Sequence, residues 1–239
     1  MTNLVIDWGN SRIKAARFVN SELKENFLLK DAEELHPLLV SQHNNLIVSS
    51  VSHNAAKILS VSKASGRKIH LTSTTPVPVN IKYATPETLG VDRIAAVCGA
   101  LQLFPFENCL VIDMGTCINY ELLDGEGNYW GGIISPGINM RFRAMHTFTA
   151  RLPLFGATAD IPLVGNSTQA CMQSGVMNGV LEEMKGIVKR VGEQHPRLRV
   201  ILCGGDAQLF ENQLKDSIFA APELVLVGLN RILNHNASI

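Results

Sequence analysis

The sequence predicts an α/β protein made of two similar domains that face each other. Each half of the chain opens with the same phrase, an apolar strand that ends in an aspartate and a glycine turn: LVIDWGN at 4–10 and LVIDMGT at 110–116. Further strands and helices follow each hairpin, and the repeat of this arrangement suggests two similar α/β domains. A chain of 239 residues is long enough for two domains of ordinary size. We therefore expect an N-terminal domain over residues 1–108 and a C-terminal domain over residues 109–239.

The N-terminal half is predicted to alternate strands and helices. Residues 3–7 and 11–18 read as two strands joined by Gly9-Asn10, a pair that is typical of hairpin turns. Its other predicted strands are residues 22–30, 45–51 and 68–72, and its predicted helices are residues 31–42, 52–64 and 91–104. Pro37 is expected to interrupt the first helix, and two prolines favour an extended loop over residues 74–83.

The C-terminal half is predicted to repeat this arrangement. Its strands are expected at residues 108–115, 117–123, 128–135 and 199–205, and its helices at residues 138–148, 167–191, 206–215 and 222–235. Glycine follows acidic residues at 124–127, which favours a turn between the second and third of these strands. Pro222 suits the first position of the last helix.

The composition argues against several classes of partner. Lys and Arg number 21 and Asp and Glu number 21, so the formal net charge is zero and nothing indicates nucleic-acid or anionic-membrane binding. No apolar run reaches about 18 residues, so we expect no membrane span, and we recognise no leader sequence. Five scattered cysteines without a CxxC motif are typical of a cytoplasmic protein. The most basic stretch, residues 141–151, is expected to be a solvated helix face.

The two acidic turns have the chemistry of phosphate-binding loops. A turn built on Gly9 or Gly115 points successive backbone N–H groups outward, and glycine lets a phosphate approach the main chain. An aspartate beside the turn would bind a cation that the phosphates need, usually Mg²⁺ through water, and Lys14 would add positive charge. A plain turn is the alternative for either instance, but two instances after near-identical strands favour phosphate binding. Neither GxxxxGK[ST] nor GxGxxG after a strand is present, so a nucleotide site would be of another design.

Six sequence blocks are together more specific than either hairpin alone. They are DWGNSRIK at 7–14, PVPVNIKYATPETLGVDRIAA at 76–96, DMGTCINY at 113–120, GGIISPG at 131–137, TARLP at 149–153 and GNSTQACMQSG at 165–175. With the later strand and Gly-Gly pair, they resemble the superfamily of actin, heat-shock chaperones and sugar kinases, and most closely type III pantothenate kinase. The resemblance implies two ribonuclease-H-like domains across a nucleotide cleft. It also implies ATP-dependent phosphorylation of pantothenate, the first step of coenzyme A biosynthesis.

The resemblance also implies roles for residues at matching positions. For ATP it implies Asp7, Gly9, Asn10, Ser11, Arg12 and Lys14 in the first hairpin, Gly115 and Thr116 in the second, and Gly204 and Gly205 beside the adenosine. For pantothenate it implies Tyr83, Gly90, Val91, Asp92, Arg93 and Thr168. Thr168 would come from the partner subunit of a homodimer. Asp7 would bind Mg²⁺ through water, and Asp113 would bind a monovalent cation, K⁺ or NH4⁺.

Asp92 is the predicted catalytic base. Phosphoryl transfer needs alignment and charge neutralisation, and a carboxylate within hydrogen-bond reach of the primary hydroxyl of pantothenate can take its proton. The neighbouring Arg93 has a planar, permanently charged group that suits a carboxylate or phosphate, and Gly90 would permit close approach of the substrate. On position alone, Asp92 could instead be the N-cap of the predicted helix, and the two roles are compatible.

The second hairpin departs from the family pattern. Many relatives carry GTA-x-T, whereas this chain has GTCIN, with Cys117 for alanine and Asn119 for threonine, so the fine structure of this loop stays open. Two alternative functions also stay open. One is a kinase or phosphatase of the same superfamily that acts on another small molecule. The other is a nucleotide-binding regulator without catalytic activity, which should tolerate the loss of Asp92.

Overall fold

The computed structural model describes residues 1–9, 12–50, 55–214 and 218–237, which form an α/β protein with two β-sheets. The strands are β1 (Thr2–Trp8), β2 (Ile13–Val19), β3 (Glu22–Leu29), β4 (Asn45–Ser50), β5 (Lys68–His70), β6 (Asn80–Ile81), β7 (Cys109–Met114), β8 (Cys117–Leu123), β9 (Asn128–Pro136), β10 (Arg199–Cys203) and β11 (Phe219–Ala220). The helices are α1 (Ala32–Val40), α2 (Ala55–Val61), α3 (Val91–Leu103), α4 (Ile138–Phe148), α5 (Thr168–Gln194), α6 (Glu211–Leu214) and α7 (Leu224–Ala237). Short 3-10 turns lie at Pro86–Thr88 and Ala207–Leu209.

The first sheet has five strands in the order β3-β2-β1-β4-β5. β1 is central, because it pairs antiparallel with β2 on one side and parallel with β4 on the other. Its residues Leu4, Val5 and Ile6 are fully buried. A strand covered on both faces needs apolar side chains in succession, which explains the unbroken run before Asp7.

The second sheet repeats this strand order around β7. Its order is β11-β10-β7-β8-β9-β6, so β7 lies between its hairpin partner β8 and the parallel strand β10. β10 in turn pairs parallel with β11, as β4 does with β5. Apart from the short edge strand β6, each strand of the second sheet therefore has a counterpart in the first. The repeated phrase at residues 4 and 110 marks the central strand of each sheet.

The chain forms two compact units, and neither is continuous in sequence. The first comprises residues 1–107, 122–131 and 223–239, and the second comprises residues 108–121 and 132–222. α7 belongs to the first unit because it packs closely on α3, where a Cβ on Gly228 would overlap the backbone of Ala95. The predicted boundary between an N-terminal domain over residues 1–108 and a C-terminal domain over residues 109–239 stays a prediction.

Each unit has its own apolar core. In the first, Leu4, Ile6 and Ile13 of the opening hairpin pack with leucines of α1. In the second, the long helix α5 buries Met172, Val180 and Met184 at helical spacing in a cluster shared with β7 and α4. Burial of each such side chain stabilises the fold by about 1.5–3 kcal/mol. Within the described ranges, none of the helices combines the length and the apolar character needed to cross a lipid bilayer.

Some predicted elements differ from the observed ones. Pro37 was expected to interrupt a helix, yet α1 continues through it, which corrects that prediction. The helix holds because Asp31 caps it, accepting hydrogen bonds from the N–H groups of Glu33 and Glu34 at 2.9 and 3.0 Å, and because its leucines are buried. The helix predicted over 206–215 is a 3-10 turn followed by the short α6.

Two further predictions concern a loop and a helix of the N-terminal half. The extended loop predicted over 74–83 includes β6, whose residue Asn80 pairs with Asn128 of β9. The helix predicted over 52–64 is observed as α2, and residues 52–54 lie outside the described part of the chain. The mixed α/β class with two β-sheets is confirmed.

Candidate active site

The first predicted phosphate loop connects β1 and β2 in the first unit. The Gly9 N–H donates to the carbonyl oxygen of Arg12 at 3.1 Å and closes the turn. Asn10 and Ser11, two predicted phosphate-binding residues, lie outside the described residues. Lys14 lies opposite Asp7 in the antiparallel register, so both side chains are on the same face of the sheet. The base of this turn therefore carries one anionic and one cationic side chain.

The second predicted phosphate loop connects β7 and β8 in the second unit. Only Gly115 and Thr116 lie between the two strands, and both are exposed. The Gly115 N–H donates to the carbonyl oxygen of Cys117 at 2.9 Å. The Thr116 carbonyl oxygen accepts a hydrogen bond from the Gly137 N–H at 3.1 Å. Asp113, half-buried at the end of β7, lies beside Cys203 in the parallel register with β10.

The Gly-Gly pair after β10 packs against this second hairpin. Gly204 has a φ of +95°, and a Cβ there would overlap the backbone of Met114 and lie 2.6 Å from Asp113 Oδ1. The Asp206 N–H donates to the Met114 carbonyl oxygen at 3.1 Å. Burial raises the pKa of the Asp206 carboxyl group. Gly205, by contrast, is exposed and has open space where a Cβ would stand.

Asp92 lies in the first turn of α3, and its carboxylate is held by the backbone. Its Oδ1 accepts a hydrogen bond from the Arg93 N–H at 2.9 Å. The N-cap of α3 is Gly90, so the interpretation of Asp92 as the N-cap is wrong. A Cβ on Gly90 would lie 2.6 Å from Asp92 Oδ1. Glycine at this position therefore leaves the space that the carboxylate occupies.

Arg93 and Tyr83 form the second half of this cluster on α3. Arg93 is only 8% exposed, and its guanidinium carbon lies 5.5 Å from the centroid of the Tyr83 ring, in cation–π range. Gly131 packs against the same ring, because a Cβ on it would lie 2.8 and 2.9 Å from two ring carbons. Val91 is half-buried at the start of α3. The first unit thus brings together all the residues predicted to bind pantothenate except one.

That remaining residue, Thr168, lies in the second unit. It is the first residue of α5 and is exposed. Ser167 caps the helix, since its hydroxyl oxygen accepts a hydrogen bond from the Ala170 N–H at 3.2 Å. At the start of this helix, Ser167 therefore acts as the cap, whereas Thr168 is exposed to solvent.

No group of three or more His, Cys, Asp and Glu side chains is arranged to hold a metal ion within the described parts of the chain. A cation that is bound by one carboxylate, by phosphate oxygens and by water needs no such group. Asp7 and Asp113 each suit a cation site with a single carboxylate, because each lies near the end of a central strand beside a glycine turn.

Sequence reasoning gave no individual role to Gly131, Gly137 or Asp206. The two glycines lie in the GGIISPG block, so the sequence did mark the segment. It could not show that one glycine faces the Tyr83 ring and the other faces the turn at Gly115, because those neighbours are distant in sequence.

The family model of type III pantothenate kinase matches residues 3–190 of this chain. This chain belongs to the type III pantothenate kinase family. The type III pantothenate kinase of Phocaeicola vulgatus is 42% identical to it over 238 residues, which cover 98% of each protein. The predicted family is confirmed, and as a member of a kinase family the chain is a phosphotransferase.

Solved structures share the fold at lower sequence identity. A protein of Campylobacter jejuni, described as a member of the Baf family of transcriptional activators, has a TM-score of 0.67 and 21% identity, covering 99% of this chain and 100% of that one. The activator of the 2-hydroxyisocaproyl-CoA dehydratase of Clostridium difficile, solved with bound ADPNP, has a TM-score of 0.58 and 12% identity, covering 100% of this chain and 96% of that one. At these identities the likeness concerns the fold alone, and it confirms the predicted fold class.

Proposed function

We propose that this chain transfers the γ-phosphoryl group of ATP, with a divalent metal ion, to the primary hydroxyl of pantothenate. The product is 4'-phosphopantothenate, the first intermediate of coenzyme A biosynthesis. The observation that carries the proposal is the family match over residues 3–190, which includes both hairpins and the start of α3. The likeness to a kinase that is 42% identical over nearly the whole chain supports the same substrate.

Asp92 acts as the general base in this proposal. Its carboxylate, oriented by the hydrogen bond from the Arg93 N–H, takes the proton of the attacking hydroxyl. The Arg93 guanidinium, held over the Tyr83 ring, binds an anionic group of the substrate. Gly90, the N-cap of α3, and Val91, its first residue, line the approach to Asp92, and Thr168 binds the substrate from the partner subunit.

Each hairpin binds part of the triphosphate through backbone N–H groups. The N–H groups of Gly9 and Gly115 close their own turns, so we assign phosphate binding to the residues that follow them. In the first hairpin these are Asn10, Ser11 and Arg12, supported by the positive charge of Lys14. In the second it is Thr116, and Gly204 and Gly205 lie beside the adenosine.

Two cations complete the proposed site. Asp7 would hold Mg²⁺ through water, and the metal ion would neutralise charge on the phosphates. Asp113 would bind a monovalent cation, K⁺ or NH4⁺, and its packing against Gly204 supports this role because it fixes the carboxylate beside the second turn. A dependence of turnover on K⁺ that disappears in Asp113→Asn would support the assignment.

The enzyme works as a homodimer in the cytoplasm. Three large apolar side chains before α5 support an interface there: Phe148 is 84% exposed, Leu163 is 79% exposed and Val164 is 83% exposed. Such an interface would bring Thr168 near the partner subunit. The five cysteines are all free thiols, which suits a reducing compartment. Sedimentation as a monomer at micromolar concentration would count against the shared site.

A phosphorylation assay with pantothenate and ATP, with and without Mg²⁺ and K⁺, tests the proposed function. We expect ADP release that depends on pantothenate and the formation of 4'-phosphopantothenate. A panel of sugars and other small alcohols in place of pantothenate tests the alternative kinase. Faster turnover of another compound in the panel would show that this compound, and not pantothenate, is the substrate.

The role of Asp92 is tested by Asp92→Asn. We expect this variant to keep its fold and to lose about 10²–10⁴-fold in turnover, which is the usual effect of removing a general base. Glu193→Gln, which neutralises an exposed carboxylate near the end of α5, is the matched control and should keep normal turnover. Near-normal turnover of Asp92→Asn would show that Asp92 is not the general base. Nucleotide-dependent partner binding without any product would instead favour the regulator.

A further inference from the structure

Arg141, near the start of α4, links the end of β9 to α5 through its side-chain hydrogen bonds. Its Nε donates to the carbonyl oxygen of Pro136 at 2.8 Å. One terminal nitrogen donates to Ser135 Oγ at 2.9 Å and to Glu183 Oε2, on α5, at 2.6 Å. The other carboxylate oxygen of Glu183 accepts from the Tyr120 hydroxyl of β8 at 3.0 Å. A single guanidinium group therefore joins β9 to α5 and, through Glu183, to β8.

The surroundings of Arg141 differ from those of its basic neighbours. Its side chain is 22% exposed and its partner Glu183 is 25% exposed, whereas Arg143 on the same helix is exposed. The expectation of a solvated basic face is therefore wrong at Arg141. Burial opposes ionisation of Glu183, but hydrogen bonds from Arg141, Ser135 and Tyr120 outweigh it and hold the pKa of this carboxyl below its ordinary value. The ion pair is thus present at neutral pH.

The corner that Arg141 fastens rests on the second hairpin. Gly137, between β9 and α4, donates its N–H to the Thr116 carbonyl oxygen at 3.1 Å. A Cβ on Gly137 would overlap the carbonyl oxygens of Gly115 and Thr116, so the two backbones are in direct contact. The Arg141 N–H in turn donates to the Gly137 carbonyl oxygen at 3.0 Å. A shift of this corner must therefore move the turn at Thr116.

We propose that Arg141 is a positioning residue for the second hairpin: paired with Glu183, it fixes the Gly137 corner and thereby holds Thr116 where it binds a phosphate of ATP. This inference rests on the proposed function, since it assumes that Thr116 contacts the nucleotide. Arg141 itself acts through Gly137 and needs no contact with either substrate. Binding of phosphate by backbone N–H groups is sensitive to small displacements, because the donors cannot rotate toward the ligand.

A positioning role and a purely structural role affect different kinetic constants. Loss of general stability lowers the fraction of active enzyme, so it lowers the apparent kcat and leaves both KM values in place. A displaced hairpin instead weakens ATP binding and leaves the cluster of Tyr83, Asp92 and Arg93 intact, because that cluster belongs to the first unit. The KM for ATP should therefore rise without a matching rise in the KM for pantothenate.

The test compares steady-state kinetics of the full chain in three variants: Arg141→Gln, Glu183→Gln and the double variant. Each substrate is varied while the other is saturating, and Arg143→Gln is the matched control. We expect the KM for ATP to rise about tenfold in both single variants, a loss comparable to that from a small misplacement of binding groups. The double variant should lose less than the product of the two single losses, since both substitutions remove the Arg141–Glu183 ion pair. Arg143→Gln should behave as the parent chain.

An unchanged KM for ATP in folded Arg141→Gln, or equal rises of both KM values, would overturn the proposal. If Arg141→Gln fails to fold, Glu183→Gln carries the test, because the amide keeps the shape and the acceptor oxygen of the carboxylate. If the parent chain does not phosphorylate pantothenate, the proposed function fails by itself. Calorimetric titration with a non-hydrolysable ATP analogue then measures the same tenfold loss as a change in Kd, and equal Kd values would overturn the positioning role.

Discussion

The two hairpins carry the same sequence phrase but are supported differently. The first turn spans residues 9–12 and is closed by the hydrogen bond from Gly9 to Arg12. The second contains only Gly115 and Thr116 between its strands. Among the described residues, a Cβ on Gly9 would meet only the Arg12 carbonyl oxygen, at 3.5 Å. The second turn, in contrast, is in direct contact with segments from elsewhere in the chain.

This difference separates what the repeated phrase encodes from what the surroundings add. The apolar run and the aspartate place each turn at the end of a central strand. The position of the second turn is then constrained by Gly137, whose backbone contacts Gly115 and Thr116, and by Gly204, which packs against Met114 just before the turn. We therefore expect the second hairpin to be sensitive to substitutions far from it in sequence.

The largest expected effect is that of Gly137→Ala. The added methyl group would overlap the carbonyl oxygens of the second turn, and two backbones cannot yield as a flexible side chain can. We expect the free energy of unfolding to fall by about 2–3 kcal/mol, measured by urea denaturation. Gly156→Ala is the control, since it has open space for a Cβ and should change the stability little. A Gly137→Ala protein as stable as its parent would mean that the corner does not constrain the hairpin.

A smaller effect, on binding rather than folding, is expected for Gly9→Ala and Gly115→Ala. At both positions the nearest atom to a Cβ lies at 3.5 Å or beyond, so the fold accommodates a methyl group. The methyl groups would stand where phosphate oxygens approach the main chain. We expect the free energy of unfolding to change by less than about 1 kcal/mol and the KM for ATP to rise about tenfold. Loss of stability with an unchanged KM would indicate two ordinary turns without a ligand.

The sequence predicted the central strands and their acidic turns because these depend on local pattern. An unbroken apolar run reports burial on both faces, and LVID at 4–7 and 110–113 is such a run in both sheets. The cluster of Tyr83, Asp92 and Arg93, which is predicted to bind pantothenate, lies within the block at residues 76–96 that resembles the family. The strand order in each sheet, and the equivalence of the two sheets, could only be suspected from the repeat.

The supports of the second hairpin could not be predicted, because they join residues that are distant in sequence. Arg141 lies in a basic stretch that reads as a surface, and its partner Glu183 is 42 residues further along the chain. The role of Gly137 depends on the carbonyl oxygens that face it, which no sequence pattern reports. Pro37 shows the reverse case, since local propensity predicted a break and the cap and burial of α1 overrode it.

The smallest expected effect concerns the pH dependence of the first unit. His43 is 3% exposed, and its ring nitrogens lie 2.8 Å from the Ser41 carbonyl oxygen and 3.0 Å from Ser62 Oγ. Burial, the largest cause, lowers the pKa of His43; the Ser41 hydrogen bond raises it, and the charges of Arg17 and Lys68 lower it further.

The sign of this effect follows from the lowered pKa of His43. The unfolded chain binds the proton more readily than the folded chain. The contribution of neutral His43 to the free energy of unfolding is therefore complete above its ordinary pKa of 6.5, and it is lost as the pH falls toward the lowered pKa of the folded state. Urea denaturation at pH 7.5 and 5.5 should show a smaller loss for His43→Gln than for the parent chain, with His36→Gln, an exposed histidine, as the control. Equal losses in all three proteins would exclude His43 as the source.

Amide hydrogen exchange with Mg²⁺ and a non-hydrolysable ATP analogue tests most directly whether both hairpins bind the nucleotide. The predicted result is slower exchange in residues 9–14 and in residues 115–120 when the analogue is bound, with no such change on adding Mg²⁺ alone. Protection of one hairpin only, or of neither while calorimetry reports binding, would contradict the shared phosphate-binding role of the two turns.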